Sequence, residues 1–573
     1  MNKKQKQFNI RLRYVFAGVM LVGFVLIANL FHIQIRIGER LRAQADGQYV
    51  VSTFNAFERG NIYFKDKNGD KVLAAGQKKG YKISVNPSKI KESDKDFIFE
   101  TINEFSPLDK NLFTKRISQN KRTYIEIVNH LSKEDGEAIK KTLGRKIGLH
   151  SEKWRTYPLK STASHVLGFL GYDKDDNFGG RYGLENFYEG NLKRENSDLY
   201  TNFFARTLHG VQDIIGPETE IEGDIIGTID PQLQIFLEKN LESIQEKWNS
   251  QVTGGIIMHA KTGEIHAMTS LPNYDNNNFK KESLAVFKNP LVSNVYEFGS
   301  VIKPLVVAMG INDGVINAKT EYYDKGSVKI GKYTISNFDK RGRGLVNMQD
   351  VLNQSLNTGM VFISKKISKK SFRDYFEKYG FKEKSGIDLP NDVTGLTSNL
   401  KSNRDIEFAN ISFGQGIATS PMSFIKAVSA LTNDGKTLVP HLIKEIEYTN
   451  GFSKKIDYSD KGEQVISPET AGEISRMLVN VFDNYRNGDV KLPHHSVAAK
   501  TGTAQIAHPE GGYYKDRNLH SFFGYFPAYK PEFIVFLYTV DPKKVKYSSQ
   551  TLLDPFRTTA KYMINYYNIP PDR

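Results

Sequence analysis

Three short segments, far apart in the chain and in a fixed order, constrain it most. Ser300-Val301-Ile302-Lys303 comes first; Ser355-Leu356-Asn357 begins 55 residues after Ser300, and Lys500-Thr501-Gly502-Thr503 begins 143 residues beyond Asn357. A serine hydroxyl is a poor nucleophile at its free pKa and needs a base beside it. Residues three apart on a helix share a face, so Ser-x-x-Lys at a helix start sets an amine next to the hydroxyl. The apolar run Leu305, Val306, Val307, Ala308 and Met309 predicts that helix, with Pro304 in its first turn, where backbone N–H groups have no intrahelical partner. Ser-x-x-Lys also occurs at Ser88/Lys91, Ser118/Lys121, Ser398/Lys401 and Ser423/Lys426, but only Ser300 has the other two segments in order. A second Lys-Thr-Gly, at Lys261-Thr262-Gly263, precedes Ser300 and reads as a hairpin turn.

At 573 residues the chain predicts more than one domain. It has no cysteine, which excludes disulfides, thiolate catalysis and Cys-ligated zinc. Its 12 histidines include no H-E-x-x-H, and no cofactor or metal is expected. The formal charge of +15 is spread along the whole length and marks no nucleic-acid site. Only the N-terminal cluster Lys3, Lys4, Lys6, Arg11 and Arg13 has positional meaning. It precedes an apolar run, residues 14–35, long enough to span a bilayer. Positive charge ahead of it predicts a single-pass protein of the cytoplasmic (inner) membrane with a cytoplasmic N-terminus and everything after the span periplasmic or otherwise outside the cytoplasm. The competing reading is a cleaved signal peptide, for which Ala43-Gln44-Ala45 resembles a cleavage site. Arg36, Glu39, Arg40 and Arg42 separate that site from the apolar run and favour an anchor.

The expected division is a cytoplasmic tail at 1–13, a transmembrane helix at 14–35, a non-catalytic domain at 36–222 and a catalytic domain at 223–573. The non-catalytic domain alternates, from Gln48 to about Glu222, short β-like runs with Lys-rich helices and shows no catalytic constellation. The composition shifts at Gly223. Asp230 and Pro231 read as N-cap and N1 of an amphipathic helix over 232–246. Residues 254–259 and 264–270 read as a hairpin. Apolar helices are expected at 351–366, 421–433 and 468–482, and strands at 496–500, 521–526 and 532–540. Helices recurring between hairpins predict an antiparallel sheet flanked by helices, in a multidomain α+β chain.

The three motifs with their surroundings resemble the class B penicillin-binding proteins, membrane-anchored peptidoglycan D,D-transpeptidases of serine β-lactamase-like fold. Further landmarks carry the resemblance across nearly the whole chain. Arg59-Gly60-Asn61-Ile62, Lys67-Asn68-Gly69, Arg155-Thr156-Tyr157-Pro158, His165-Val166-Leu167-Gly168 and Gly183-Leu184-Glu185 resemble the pedestal, or dimerisation, domain. Thr228-Ile229-Asp230, Thr262-Gly263-Glu264, Pro272-Asn273-Tyr274-Asp275 and Phe413-Gly414-Gln415-Gly416 resemble the catalytic domain. Lys-Thr-Gly-Thr-Ala-Gln at 500–505 is more similar to the septal cell-division enzyme (penicillin-binding protein 3 type) than to the elongation enzyme.

The resemblance implies Ser300 as nucleophile, Lys303 as its base, Ser355 as proton relay and Asn357 as holder of Lys303 and substrate. It implies Lys500, Thr501, Gly502 and Thr503 as the substrate clamp, with the backbone N–H groups of Ser300 and Thr503 as oxyanion hole. Implied ligands and partners are stem peptides ending in D-Ala-D-Ala, β-lactam antibiotics, a multi-spanning glycan polymerase and other division proteins. Four positions depart from the pattern: Phe298 for Pro, Val301-Ile302 for Thr-Phe or Thr-Met, Leu356 for a small residue, and Met258-His259 for an acidic one. Leu356 and Val301 are the departures that bear on pocket shape and β-lactam reactivity, in a direction the sequence does not give. Side-wall elongation, acyl transfer to water, and a non-enzymatic penicillin receptor or division scaffold remain the rival readings.

Overall fold

The computed structural model describes residues 20, 21, 23 and 24, 58–119, 122–194 and 222–573. The expected tail at 1–13 and, apart from four helical positions, the expected membrane segment at 14–35 lie outside the described residues. Among the described residues no helix is long and apolar enough to cross a membrane. The described chain divides into two compact units that interleave in sequence. One comprises 58, 78–119 and 122–154, the other 59–77, 155–194 and 222–573.

The smaller unit packs the helices Lys95–Phe105, Lys110–Ile117 and Lys133–Leu143 with strand Ile125–Leu131 and residues 78–85. Its core is Ile83, Val85, Ile98, Ile102, Phe113, Ile127 and Ile139 with their neighbours. Asp109 and Ser132 cap two of the helices by accepting from Leu112 N and Asp135 N.

In the larger unit three of the landmark segments meet on one carboxylate. Glu185 is fully buried and accepts from Arg59 Nε and Arg155 Nε, each at 2.6 Å, and from the Tyr157 hydroxyl at 3.2 Å. Arg155 Nη1 also donates to Gly60 O at 2.7 Å. Burial pushes this carboxyl up, but the charges of Arg155 and Arg59 outweigh burial and hold it below its ordinary value. Beside this cluster, Ile62–Lys65 runs parallel to Gly223–Gly227, which pairs antiparallel with Ile443–Tyr448.

The catalytic sheet has five strands: β1 (Val252–His259), β2 (Ile265–Leu271), β3 (Ala498–Ala507), β4 (Tyr513–Phe526) and β5 (Phe533–Val540). All pair antiparallel, in the order β3-β4-β5-β1-β2, so β3 is an edge strand. Six helices matter here: α1 (Pro231–Trp248), α2 (Lys303–Asn312), α3 (Asn357–Lys366), α4 (Pro421–Thr432), α5 (Pro468–Asp483) and α6 (Leu553–Tyr566).

Strand alternation sorts them into two layers. Ile257, Phe522, Val535 and Leu537 face a core with Leu233, Leu237 and Leu241 of α1 and Phe556 and Met563 of α6. Ile256, Phe523, Ile534 and Phe536 face the other core, with α2 to α5. Every residue of β5 is buried, as a strand covered on both faces requires.

The expected Asp230 cap and Pro231 start of α1 are both present. The expected helix over 351–366 is instead two helices, Met348–Asn353 and α3, broken at Ser355. Ser355 has φ +53°, a left-handed conformation that costs a non-glycine residue about 1–2 kcal/mol and ends the helical run. β3 and β4 also run further than expected, pairing out to Ala507 and Tyr513 through polar residues that carry no apolar alternation.

Candidate active site

The site forms where the start of α2, the break before α3 and the edge strand β3 converge. Gly299–Ile302 is a short 3₁₀ turn leading into α2, with Pro304 in the first turn. Ser300 sits on that turn, partly exposed, while Lys303 is fully buried beneath it. Lys303 Nζ makes three hydrogen bonds: to Ser355 O (2.7 Å), Asn357 Oδ1 (2.8 Å) and Ser355 Oγ (3.2 Å). The left-handed twist at Ser355 thus presents both its carbonyl and its hydroxyl to one amine. All three bonds tie Lys303 to the Ser355-Leu356-Asn357 segment, a link the Ser-x-x-Lys spacing alone does not reveal.

From the other side, Lys500 Nζ donates to the same Ser355 Oγ at 3.2 Å and to Thr501 O at 3.1 Å. The Ser355 hydroxyl therefore lies between two amines, with its own proton available to a third group. Burial, and then the charge of Lys500, hold Lys303 well below its ordinary 10.5. Burial alone lowers Lys500 to about 7. Two buried ammonium groups sharing one hydroxyl disfavour double protonation, so near neutral pH the pair is poised to hold fewer than two protons.

Along β3, Lys500 and Gly502 lie on the sheet face toward α2, and Thr501 and Thr503 on the opposite one. The Thr501 hydroxyl accepts from Tyr485 OH (3.2 Å), which itself accepts from Thr501 N (3.1 Å). The Thr503 hydroxyl accepts from Ser548 N at 3.1 Å. In both bonds the threonine oxygen is the acceptor, leaving its proton for an outside acceptor such as a carboxylate. Neither Tyr485 nor Ser548 carries a spacing signal that singles it out in the sequence.

Gly502 has a reason within the fold itself. A Cβ there would lie 2.5 Å from Phe298 O and 3.0 Å from Val301 Cγ1, so the glycine lets β3 press against the Ser300 turn. Gly414, at φ +81°, closes on the same turn from another side. Gly299 N donates to Gly414 O at 3.1 Å, and a Cβ on Gly414 would lie 2.1 Å from Gly299 O.

Leu356 and Val301 are the two departures from the family pattern that bear on pocket shape. Both are fully buried, in the core behind the site. Phe298 is likewise buried, packed edge-on against Phe536. Three of the four competing Ser-x-x-Lys serines are occupied locally: Ser88 with Asn86, Ser118 with Thr114 O and Ser423 with Ser420. Among the described residues no group of His, Asp and Glu is arranged to hold a metal ion.

A buried lysine pair bracketing a serine hydroxyl, beside a second serine on a helix start and against an edge strand, defines a serine acyl-transfer centre. The chain belongs to the penicillin-binding protein family: the penicillin-binding protein transpeptidase domain matches residues 253–558, and the penicillin-binding protein dimerisation domain matches residues 55–201. It is similar to stage V sporulation protein D of Bacillus subtilis, 28% identical over 540 residues, covering 93% of this chain and 82% of that protein. It is 25% identical over 578 residues to the probable peptidoglycan D,D-transpeptidase PenA of Neisseria meningitidis, covering 100% of this chain and 95% of the relative. In fold it resembles the crystal structure of penicillin-binding protein 3 of Mycobacterium tuberculosis complexed with aztreonam. The TM-score is 0.67 at 20% identity, over 90% of this chain and 97% of that one.

Proposed function

We propose that the chain is a serine-type peptidoglycan D,D-transpeptidase that cross-links stem peptides during septal wall synthesis and is acylated by β-lactams. The observation that carries this is the Lys303–Ser355–Lys500 arrangement beside Ser300. Ser300 Oγ attacks the carbonyl of the penultimate D-Ala, its proton passing to the neutral Lys303 amine. The C–N bond to the terminal D-Ala breaks, and Ser355 hands its proton to the departing amine while taking in its place the one Lys303 received, which leaves Lys303 neutral again. The acyl group is then held as an ester on Ser300. An amine from a neighbouring stem attacks that ester, a new C–N bond forms, and the proton returns to Ser300.

Lys500 and the hydroxyls of Thr501 and Thr503 take the donor's terminal carboxylate, consistent with the protons those hydroxyls retain. The backbone N–H groups of Ser300 and Thr503 stabilise the oxyanion, each worth roughly 3–4 kcal/mol in comparable sites. Asn357 contributes Oδ1 to Lys303 and one amide hydrogen to Ser336 O, keeping the other for substrate. A strained β-lactam carbonyl meets the same nucleophile and leaves an acyl-enzyme whose amine remains tethered.

We assign residues 14–35 as a single membrane anchor with the N-terminus in the cytoplasm and both later domains outside it. Residues 36–222 carry no readable chemistry for polymerising glycan, so a separate multi-spanning polymerase supplies the strands and docks on the anchor and dimerisation domain. Co-purification from membranes, with the native anchor or an unrelated one, tests that contact; equal recovery of the polymerase without either element overturns it.

The enzymatic reading is tested with a purified donor peptide ending in D-Ala-D-Ala and an amine acceptor. Release of D-Ala matched by cross-linked product is expected. Release of D-Ala with only hydrolysed donor, at saturating acceptor, overturns transpeptidation in favour of acyl transfer to water. A fluorescent fusion concentrated along the side wall instead of at the septum overturns the division role.

A further inference from the structure

The segment between the Ser300 and Ser355 motifs contains a buried acid that neither motif explains. Asp324 is 1% exposed. Its carboxylate accepts from Gly326 N (2.8 Å), Asn337 Nδ2 (2.9 Å), Arg343 N (3.1 Å) and Thr358 Oγ1 (2.8 Å), none of them a cationic side chain. A buried carboxylate without an ion-pair partner is costly and stands only when its hydrogen bonds are satisfied. Here the bonds converge on the residues around Asn357. Thr358 follows Asn357 directly, and its backbone N–H donates to Asn337 Oδ1 at 3.3 Å. Asn337 follows Ser336, whose carbonyl accepts from Asn357 Nδ2 at 3.0 Å. That last bond decides which way the Asn357 amide faces: with Nδ2 committed to Ser336 O, Oδ1 is turned toward Lys303 Nζ, 2.8 Å away.

We propose that Asp324 and Asn337 are positioning residues for acylation, forming with Thr358 a buried hub that fixes the Asn357 amide and, through it, the Lys303 amine. The hub lies wholly outside the three motifs, in the stretch that closes as two short hairpins, Glu321–Asp324 with Gly344–Asn347 and Ser327–Ile330 with Tyr333–Ser336. Its two ends are a turn at Gly326 and the start of α3, so one carboxylate locks a loop to a helix N-terminus. Loosening it frees Asn357 to rotate without removing any group that touches substrate. The proposal rests on the assignment of Lys303 and Asn357 to the acylation machinery.

The test is a double-mutant cycle on the rate at which the full chain is acylated by a fluorescent penicillin. Asn337→Ala is expected to slow acylation about tenfold, and to add less than about twofold when Asn357 is already Ala, because both act through one amide. Thr358→Val, which keeps the shape but removes the donor to Asp324, is expected to give the same non-additive loss, and Thr358→Ser to restore the rate. The Thr358 pair keeps the test decisive if Asn337→Ala does not fold. A purely structural role predicts losses that add in full to that of Asn357→Ala, and this result, or acylation of both Asn337→Ala and Thr358→Val within about threefold of the parent, overturns the proposal. An Asn357→Ala single variant that acylates at the parent rate instead overturns the site assignment beneath it.

Discussion

At the scale of residues, the proposed chemistry depends on a buried lysine pair that holds fewer than two protons, with Lys303 the neutral partner. Lys303→Ala removes the proposed base and is expected to slow Ser300 acylation by about 10²–10⁴-fold with an unchanged fold, read by stopped-flow acylation beside a thermal melt. Lys500 gives a pH signature. Its folded-state value of about 7 lies below its ordinary 10.5, so the unfolded chain binds more protons between those limits. Stability from this group therefore rises as pH climbs from about 7 toward 10.5 and is lowest below 7. Carboxylate capture needs the cation and moves the opposite way. The kcat/KM for donor peptide is expected to be bell-shaped, with an alkaline limb near pH 7 set by the coupled pair. Lys500→Met is expected to raise the melting temperature at pH 6 while destroying donor binding. A melting temperature lowered at pH 6 contradicts this account of the burial cost.

The elements show what a linear reading reaches and where it stops. The start of α1 was legible because Asp230 and Pro231 act locally, through a cap and a fixed φ. The hairpin of β1 and β2 was legible because Gly263 marks its turn. The break at Ser355 was not, because residues 351–366 are apolar at helical spacing and the bonds that reward the break come from Lys303, 52 residues away. For the same reason the three motifs named the site's groups but not their wiring, and Tyr485, Ser548 and Asp324 went unseen. The reason for Gly502 was also hidden, since it lies in a contact with Phe298 O and Val301 across the fold. Gly502→Ala is accordingly expected to displace the Ser300 turn, costing about 1–3 kcal/mol in stability and slowing acylation more than any effect on donor affinity explains. Melting and acylation rates measured on the same sample check this; an unshifted melt with normal acylation contradicts it.

At the scale of the whole molecule, three of the landmark segments outside the catalytic motifs hold the fold together. Arg59, Arg155 and Glu185 come from segments up to 126 positions apart and form one buried ion cluster. Removing the acid leaves Arg155 buried without its ion-pair partner and Arg59 with Glu189 alone, so Glu185→Ala is expected to cost about 3–5 kcal/mol. The folded-state value of Glu185 is lowered from 4.5, so its contribution is present above that pH and is lost as pH falls through the folded value. Thermal melts above and below pH 4.5 are expected to show the penalty of Glu185→Ala shrinking in acid; an equal penalty at both contradicts the ion cluster as its source.

The central claim is that Ser300 is the nucleophile, selected from five Ser-x-x-Lys serines by what the fold brings beside it. The most direct measurement is peptide mapping by mass spectrometry after labelling the full chain with penicillin, alongside a Ser300→Ala variant. One acylated peptide, containing Ser300, is expected, and no label on the variant. Label on Ser88, Ser118, Ser398 or Ser423, or undiminished labelling of Ser300→Ala, contradicts it.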